Sequence, residues 1–245
     1  MMKNSLSVII PAYNEEENLE DSIKSVLRIV PEFCNDFEIV IINDGSKDET
    51  GKIANRLAKN KKIKVIHNSK NKGMGYSYWR GVSIAKYNYI MIVWGDYAHT
   101  DSSLKKILSY MRKYEVVIPF YTNMDSRTVQ RRIISAIFSR IVNLITGLSI
   151  RYYNGSTLYM ESYLKKIPRH SQGFGYQAEI LAYTIKQGAK YIEVGVERRN
   201  IPDGPTAAFA VKNVSDVMAS LLWLFKEFRI LPLKRLIIGT LKYVS

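Results

Sequence analysis

The stretch LSVIIPAYNEEEN, residues 6–18, joins a short run of aliphatic residues directly to a polar, acidic turn. The segment FEIVIINDGS, residues 37–46, repeats this pattern. Both runs are rich in β-branched residues and apolar on both faces, which is typical of central strands in a parallel sheet. The two stretches therefore predict buried strands whose carboxyl ends carry polar side chains.

Three more runs continue the pattern: IKVIHN (63–68), YIMIVW (89–94) and EVVIPF (115–120). Apolar residues at helical spacing follow the first strand, at Leu19, Ile23, Val26, Leu27 and Val30. Strands that alternate with helices predict an α/β fold with a Rossmann-like, mostly parallel open sheet and helices on both faces. Ligands of such sheets bind beyond the carboxyl ends of the strands, where these polar turns lie.

Two pairs of residues have the spacing of a helix capping box, Asn14 with Glu17 and Ser46 with Glu49. Each pair predicts the start of the helix that follows its strand. Asp101 similarly predicts the cap of a helix that begins at the next residue.

The second half of the chain is more helical. One broad apolar face is flanked by arginines and consists of Val129, Ile133, Ile134, Ile137, Ile141, Val142, Leu144 and Ile145. AEILAYTIKQG (178–188) predicts another helix, and KYIEVGVERR (190–199) predicts a strand. From residue 212 onward the pattern is that of amphipathic helices, broken at Pro232.

The composition bounds the partners. The 245 residues are 47% hydrophobic, enough for one full core with a C-terminal extension. The single cysteine excludes an internal disulfide and favours a reducing compartment.

A net charge of +14 predicts anionic partners, and residues 127–151 contain five arginines and no acid. No stretch has the uncharged apolar length that spans a bilayer, so we expect a cytoplasmic protein, peripheral at the inner face of the membrane.

Four motifs occur in order at predicted strand ends: VIIPAYNEEENL, IINDGSKDET, NKGMG and GDYAHTD. Together they resemble the donor half of glycosyltransferase family 2, whose members have the GT-A fold. The pattern is most similar to the polyprenyl-phosphate sugar transferases of the dolichyl-phosphate mannose synthase type. RYYNGSTLYM, GFGYQAEILAYTIKQGAKYIEVGVERR and DGPT extend the resemblance to about residue 206.

The resemblance implies a GT-A domain over residues 1–206, followed by an amphipathic helical extension over 207–245. Within the domain, residues 1–120 would form the half that binds the donor nucleotide, and residues 121–206 would form the acceptor half. The resemblance also implies that Pro11, Tyr13 and Glu15 line the nucleotide pocket and that Asp44 contacts the base or ribose.

Base and ribose recognition needs carboxylates and amides at a rigid edge. The chain supplies such groups at the ends of its first two strands: Asn14, Glu15, Asn43 and Asp44. NKGMG precedes a predicted helix, so its backbone N–H groups suit a diphosphate, and Lys72 and Gly73 are assigned to that group. Lys72 could equally be a solvated surface lysine.

Family members usually present Asp-x-Asp and a later oxygen ligand where this chain has WGDYA. Asp96 matches the second aspartate, whereas Trp94 and Ala98 replace the other two ligands. We expect Asp96 to hold Mg²⁺ or Mn²⁺ together with the diphosphate, at a site that is reduced relative to the family. His99 is a poor match for a hard cation and is expected to brace the loop.

Transfer to a phosphate monoester needs no general base, because its oxygen is already anionic at neutral pH. It needs arginines to hold the phosphate. The assigned set is Arg127, Arg131, Arg132, Arg151 and Arg199, with Arg140 and Arg198 as further basic residues. Glu179 is expected to be catalytic; it could position the sugar, act as a base for a hydroxyl acceptor, or pair with an arginine.

The sequence therefore predicts an inverting glycosyltransferase that moves a sugar from a nucleotide-diphosphate sugar to a polyprenyl phosphate, in contact with an anionic membrane. Two alternatives remain open: transfer to a glycan hydroxyl with Glu179 or Asp125 as base, and a degenerate member that binds nucleotide or membrane without catalysis. Nucleic acid is not an expected partner, because the acidic strand ends would repel phosphate chains. The oligomeric state, the sugar and the base are left open.

Overall fold

The computed structural model describes residues 5–200 and 211–232. Its strands in chain order are β1 (Ser5–Ala12), β2 (Asp36–Asn43), β3 (Ile63–His67), β4 (Tyr89–Ile92), β5 (Val116–Tyr121), β6 (Leu158–Met160) and β7 (Tyr191–Val196). The helices are α1 (Leu19–Ile29), α2 (Thr50–Leu57), α3 (Met74–Ile84), α4 (Asp101–Leu108), α5 (Val129–Thr146), α6 (Glu161–Leu164), α7 (Tyr176–Lys186) and α8 (Val211–Phe225).

The described strands form one sheet in the order β3-β2-β1-β4-β6-β5-β7. β1 pairs in parallel with β2 and β4, β2 pairs in parallel with β3, and β5 pairs in parallel with β7. Only β6 runs antiparallel, between β4 and β5. The predicted, mostly parallel sheet is confirmed, and β6 is an addition that the sequence pattern did not indicate, because three residues are too few to show a period.

Helices cover both faces of the sheet. One face packs Leu6, Val8 and Ile10 of β1 against α1, α2 and α4. The other face packs Ile9 of β1 against α3, α5, α7 and α8. All eight residues of β1 are buried, which explains why its sequence lacks the apolar–polar alternation of a strand with one solvated face.

The predicted helix caps are wrong. α1 is preceded by Asn18 and α2 by Glu49, and neither side chain forms a capping hydrogen bond. α4 is capped by the Thr100 side chain, which accepts the Ser103 N–H at 3.1 Å. Asp101 instead accepts the Ser25 hydroxyl at 2.6 Å and pairs with Arg28. Local spacing was misleading here because neighbouring segments compete for the same polar side chains.

Helices α5 and α8 lie side by side on one face of the sheet. α5 ends at Gly147, whose φ of 75° suits a residue without Cβ. α8 continues into a π-helical turn, Lys226–Ile230. The predicted boundary at 206/207, the DGPT motif and residues 233–245 of the predicted extension lie outside the described residues. Among the described helices, none combines the length and the apolar character needed to cross a bilayer.

Candidate active site at the carboxyl edge of the sheet

The turns after β1 and β2 fold onto each other. Asn14 has a left-handed backbone with φ 55°, its N–H donates to the Ser46 hydroxyl at 3.0 Å, and its Oδ1 accepts the Lys47 N–H at 2.9 Å. The Glu15 N–H donates to Thr50 Oγ1 at 2.7 Å. Asn14 and Ser46 therefore hold two loops together across the sheet edge, which is why neither of them caps a helix.

Asp44 organises the donor loop, which we define as residues 71–75, NKGMG. Its carboxylate is 4% exposed and accepts three hydrogen bonds, from Asn68 Nδ2 at 2.6 Å, from the Lys72 N–H at 3.0 Å and from the Gly73 N–H at 2.9 Å. Two of the N–H groups that were expected to meet a diphosphate are therefore used inside the protein. Asp44 therefore fixes the backbone of this loop from inside the protein.

Asn43 has a similar internal role. It is buried, its Oδ1 accepts the Ser46 N–H at 3.1 Å, and its Nδ2 lies 2.9 Å from Nδ1 of His67. Tyr13 is 41% exposed at the end of β1 and can present its ring to a base, whereas Pro11 is buried in the strand. Lys72 Nζ lies 3.1 Å from the Tyr76 hydroxyl, so this lysine is partly held in place.

Two carboxylates after β1 and β4, Glu15 and Asp96, are buried enough for their pKa values to rise. Asp96 Oδ1 accepts the Ala98 N–H at 3.0 Å, and burial raises the pKa of Asp96, opposed by that bond and by Arg198 and Arg127. Burial, followed by repulsion from Asp96, raises the pKa of Glu15 to about 7. Glu15 and Asp96 therefore interact electrostatically, and a cation between them would relieve their repulsion.

The residues that replace the family ligands are part of the packing. Trp94 is half-buried against the core on the α3 side of the sheet, and its carbonyl accepts the Ser22 hydroxyl at 2.9 Å. Ala98 is buried. Among the described residues, no three His, Cys, Asp or Glu side chains cluster in a way that could hold a metal. Glu15 and Asp96 are hard oxygen ligands, so the pair fits Mg²⁺ or Mn²⁺ whose coordination is completed by substrate phosphates and water.

His99 braces the loop after Asp96. It is 4% exposed, its backbone bridges to Arg198, and its ring lies 5.3 Å from that of Tyr97 in an edge-on arrangement. Burial lowers the pKa of His99 to about 4, so the imidazole is neutral at physiological pH. Its role is to pack the loop against the residues that follow β7.

The predicted phosphate-binding arginines do not all lie near Asp96. Arg127 and Arg198 both lie close enough to Asp96 to lower its pKa, and Arg127 donates to the Tyr152 hydroxyl at 3.0 Å. Arg132 pairs with the exposed Asp125 at 2.6 Å. Arg198 is 8% exposed and belongs to the site, although the assigned set contained its neighbour Arg199 instead. Arg198 and Arg199 both follow the end of β7, and the backbone bridge of Arg198 to His99 that distinguishes them left no signal in the sequence.

The other assigned arginines have different neighbours. The Arg151 guanidinium lies 4.5 Å from the ring centre of Phe120, which faces the opposite side of β5 from Tyr121. The Arg199 guanidinium lies 4.1 Å from the ring centre of Tyr97. Arg131 is half-buried in the first turn of α5. The structure therefore does not bring the five predicted arginines together in one cluster.

Glu179 is buried and bonded to protein groups. It is 2% exposed, its Oε1 lies 3.1 Å from His170 Nδ1, and its Oε2 accepts the Ser171 N–H at 3.0 Å. Burial raises the pKa of Glu179, opposed by these hydrogen bonds. Gln177 is also buried and donates to the Gly155 carbonyl at 3.0 Å. The catalytic role expected for Glu179 has no support in this geometry, because its carboxylate is committed to protein groups.

Comparison with known families identifies the chain. The sequence profile of "Glycosyl transferase family 2" matches residues 7–180. The chain belongs to glycosyl transferase family 2. It is therefore a glycosyltransferase that uses a nucleotide sugar, and the parallel sheet with its polar carboxyl edge is the GT-A fold.

Similar curated proteins include an uncharacterized protein of Methanocaldococcus jannaschii, 31% identical over 201 residues that cover 76% of this chain and 84% of that protein. An uncharacterized glycosyltransferase of Synechocystis is 25% identical over 70% of this chain and 56% of its own length. A dolichol-phosphate mannosyltransferase of Pyrococcus furiosus is 31% identical over 107 residues, 44% of this chain and 30% of that enzyme. The chain thus spans about half or less of the length of the last two glycosyltransferases.

Solved structures with a similar fold include glucosyl-3-phosphoglycerate synthase of Mycobacterium tuberculosis. Its complex with Mn²⁺, UDP and glucosyl-3-phosphoglycerate has a TM-score of 0.67 at 18% identity, over 90% of this chain and 79% of that one. Its complex with Mg²⁺ and UDP has a TM-score of 0.66 at 17% identity, with the same coverage. These likenesses establish the fold of this family 2 glycosyltransferase.

Proposed function

We propose that this glycosyltransferase is an inverting enzyme that transfers a sugar from a nucleotide-diphosphate sugar to a polyprenyl phosphate. The observation that carries the proposal is the position of Arg127 and Arg198 beside Asp96. This arrangement sets cationic groups for an anionic acceptor next to the carboxylate assigned to the donor diphosphate. Glu179, one of the two bases considered for a hydroxyl acceptor, is buried in protein contacts, and the other, Asp125, is exposed and paired with Arg132.

The proposed reaction needs no base. A phosphate oxygen of the acceptor forms a bond to the anomeric carbon on the face opposite the leaving group. The bond between that carbon and the donor diphosphate breaks, and the nucleoside diphosphate leaves with the electron pair. Because a phosphate monoester is largely dianionic at neutral pH, its attacking oxygen has no proton to lose. Arg127 and Arg198 would orient the acceptor phosphate and lower its repulsion with the donor.

A divalent cation would offset the negative charge of the leaving diphosphate. Asp96 and Glu15 are the residues that would hold it, with Mg²⁺ and Mn²⁺ as the candidates that suit oxygen ligands. Asp44 and the donor loop would position the nucleotide, and Tyr13 would contact the base. Lys72 and Gly73 would lie beside the diphosphate. Arg127 and Arg198 would add positive charge beside Asp96 and so would assist a cation that is held by few protein ligands.

An exposed apolar surface supports the lipid part of the proposal. We define the α5–α8 surface by its exposed apolar residues: Val129, Ile133, Ile134, Ile137, Ile141, Leu144, Val214, Met218, Leu222 and Phe225. This row begins only two residues after Arg127, so a phosphate held at Arg127 would have its hydrocarbon chain beside the start of α5. Exposed Arg140, Lys226 and Arg229 border the surface and would favour an anionic inner leaflet.

The experiment is a transfer assay with UDP- and GDP-sugars and polyprenyl phosphate in mixed micelles, with and without Mg²⁺ or Mn²⁺. Formation of a sugar–phosphate lipid with inverted anomeric configuration, strongly reduced at low acceptor concentration in Arg127→Gln, is the expected result. Arg132→Gln is the control, because Arg132 pairs with Asp125 on the surface. Transfer to a glycan hydroxyl, and none to a phosphate lipid, would contradict the proposal.

One observation favours a second candidate function. Trp94 occupies the position of a family metal ligand and is half-buried in the core, so a member that binds nucleotide without turnover is the alternative. The same assay separates the two functions. Tight binding of a nucleotide sugar in calorimetry, without hydrolysis or transfer to any acceptor of the panel, would favour the non-catalytic binder.

A further inference from the structure

The buried carboxylate of Glu179 is bonded to the segment that precedes α7. A carboxylate removed from water is costly unless it is hydrogen-bonded, and this one bonds His170 Nδ1 and the Ser171 N–H. Both partners belong to the segment HSQGFG, residues 170–175, which we call the Gly-rich segment. Glu179 lies in the first turn of α7, directly after this segment, and its hydrogen bonds hold His170 and Ser171 in place.

The Gly-rich segment contacts the donor loop backbone to backbone. The carbonyl of Gln172 accepts the Tyr76 N–H at 3.1 Å. A Cβ added at Gly73 would come within 2.8 Å of that carbonyl oxygen, and one added at Gly75 would come within 2.8 Å of the Gln172 carbonyl carbon. The two backbones are closer than any side chain would allow, so a displacement of Gln172 must move the donor loop.

The donor loop is held from its other side by Asp44, which accepts the N–H groups of Lys72 and Gly73. The loop therefore lies between two anchored carboxylates, Asp44 from β2 and Glu179 from α7. Asp44 bonds the loop directly, whereas Glu179 acts through Ser171 and Gln172. The position of the loop, and of any diphosphate beside it, depends on both.

The opposite side of the Gly-rich segment rests on α8. A Cβ at Gly173 would meet Asp216 Oδ2 at 2.4 Å, and a Cβ at Gly175 would meet the Ser220 hydroxyl oxygen at 2.1 Å. The His170 ring stacks on Trp223 with a centroid distance of 4.8 Å and an interplanar angle of 3°. The segment is therefore packed between the donor loop and α8, the helix that carries part of the α5–α8 surface.

We propose that Glu179 is a positioning residue of the nucleotide-sugar site, which acts through the Gly-rich segment to set the donor loop and hence donor affinity. It holds the segment against α8 and takes no part in proton transfer. The inference rests on the nucleotide-sugar donor and is independent of the proposed acceptor. It also explains why the buried Glu179 follows a segment with two glycines, Gly173 and Gly175, at positions where a Cβ would collide with side chains of α8.

The first test uses Glu179→Gln, which keeps the size of the side chain and removes its charge. The expected result is a Kd for the nucleotide sugar raised about tenfold, as for the loss of one charge-assisted hydrogen bond. The expected kcat is unchanged within a factor of about two, and the pH profile of kcat/KM keeps its shape. A fall in kcat by about a hundredfold at unchanged KM would identify a base and overturn the proposal.

Glu38→Gln is the matched control. Glu38 is also 2% exposed and hydrogen-bonded, to the Ser7 hydroxyl at 2.8 Å and to Lys64, but it lies near the amino end of β2. This variant is expected to lower the unfolding temperature without changing donor Kd. An equal rise in donor Kd for Glu38→Gln and Glu179→Gln would mean that the higher Kd comes from a general loss of stability, and it would overturn the proposal.

A second readout needs no nucleotide. Hydrogen exchange of a peptide covering residues 72–76 is expected to accelerate in Glu179→Gln and to stay unchanged in Glu38→Gln. Gly175→Ala is expected to accelerate it as well, and adding Ser220→Gly is expected to restore protection by removing the hydroxyl that the new methyl group meets. Unchanged exchange in Glu179→Gln overturns the proposal. If the wild-type protein binds no nucleotide sugar, the proposed donor fails, while this readout still decides the positioning role.

Discussion

Asp44 and Gly73 are joined across the edge of the sheet, because Asp44 Oδ2 accepts the Gly73 N–H at 2.9 Å. Gly73 has a φ of 99° and lies against the Gln172 carbonyl, so no residue with a Cβ fits there without displacing the Gly-rich segment. The bond ties the end of β2 to the start of α3. The end of β2, the donor loop and the Gly-rich segment therefore hold one another in place at the edge proposed to bind the nucleotide.

Asp44→Asn is expected to destabilise the protein by about 2 kcal/mol, because one carboxylate oxygen that accepts hydrogen bonds is replaced by an NH₂ group that faces N–H donors. Urea unfolding measures this loss. Donor affinity is expected to fall as well, measured by calorimetry. Asp36→Asn, at the exposed start of the same strand, is the control and should change neither quantity. Unchanged stability in Asp44→Asn would contradict the anchoring role.

Arg127→Gln is expected to raise the KM for a polyprenyl phosphate by about tenfold or more, since a charge-assisted hydrogen bond to phosphate contributes roughly 1.5–3 kcal/mol. The KM for the nucleotide sugar is expected to change less. Steady-state kinetics with each substrate varied in turn separates the two. Arg132→Gln should retain the wild-type acceptor KM, and an equal loss in both variants would point to a diffuse charge effect.

Mn²⁺ is expected to bind weakly to the protein alone and at least about tenfold more tightly when UDP or GDP is present. The reason is that Glu15 and Asp96 supply too few ligands, and the diphosphate completes the set. Electron paramagnetic resonance of free Mn²⁺ measures both affinities. Asp96→Asn should abolish the enhancement. Tight binding of Mn²⁺ without nucleotide would show that further protein ligands exist.

His99 is expected to make the protein sensitive to acid. Its folded pKa of about 4 lies below the ordinary value of 6.5, so the unfolded chain takes up a proton first as the pH falls. The stability that the neutral ring contributes is fully present above pH 6.5 and is lost as the pH falls toward 4, by about 3 kcal/mol in total.

Urea unfolding at pH 7.5 and at pH 4.5 measures this loss, and the variant His99→Leu isolates it. The leucine fills a similar volume and cannot be protonated, so the difference in stability between the two pH values should be smaller in the variant. Equal pH dependence in both proteins would mean that the ring of His99 reaches water in the folded state.

Leu144→Glu and Leu222→Glu are each expected to weaken binding to vesicles that contain an anionic lipid by about tenfold, because burying one leucine contributes roughly 1.5–3 kcal/mol. The two side chains are 76% and 66% exposed, so the unfolding temperature should stay unchanged. Co-sedimentation with vesicles measures binding. Ile84→Glu, at the end of α3, is an exposed apolar control that should bind like the wild type.

Elements with a strong local pattern were predicted correctly. The five predicted donor-half strands are present, and α5 begins at Val129 as its apolar row indicated. Both depend on burial of contiguous residues, which leaves a period in the sequence. β6 is only three residues long and was not predicted, and the helix caps were predicted wrongly because the prediction used spacing alone. In each case the deciding partner is distant in the chain.

The candidate site divides in the same way. The sequence singles out Asp96 and the donor loop because they follow strands, and strand ends of a parallel sheet share one edge; their roles in substrate binding are proposals. The grouping of Arg198 with Arg127, and the burial of Glu179 beneath the Gly-rich segment, could not be found. Arg198 and the arginine after it both follow the end of β7, where the backbone of Arg198 bridges to that of His99, and this contact between distant segments is a property of the tertiary structure.

The sequence by itself determined the α/β class, the order of the five strands of the first half, the family and the polar edge where the substrates are expected. Hydrophobic periodicity and short motifs depend only on residues that are close together in the chain. Only the tertiary structure decided which charges lie together and which acid is buried. Those outcomes come from interactions between residues far apart in the chain, such as the repulsion of Glu15 by Asp96 or the contact of Gly73 with Gln172. Packing brings such residues together, and no local pattern records it.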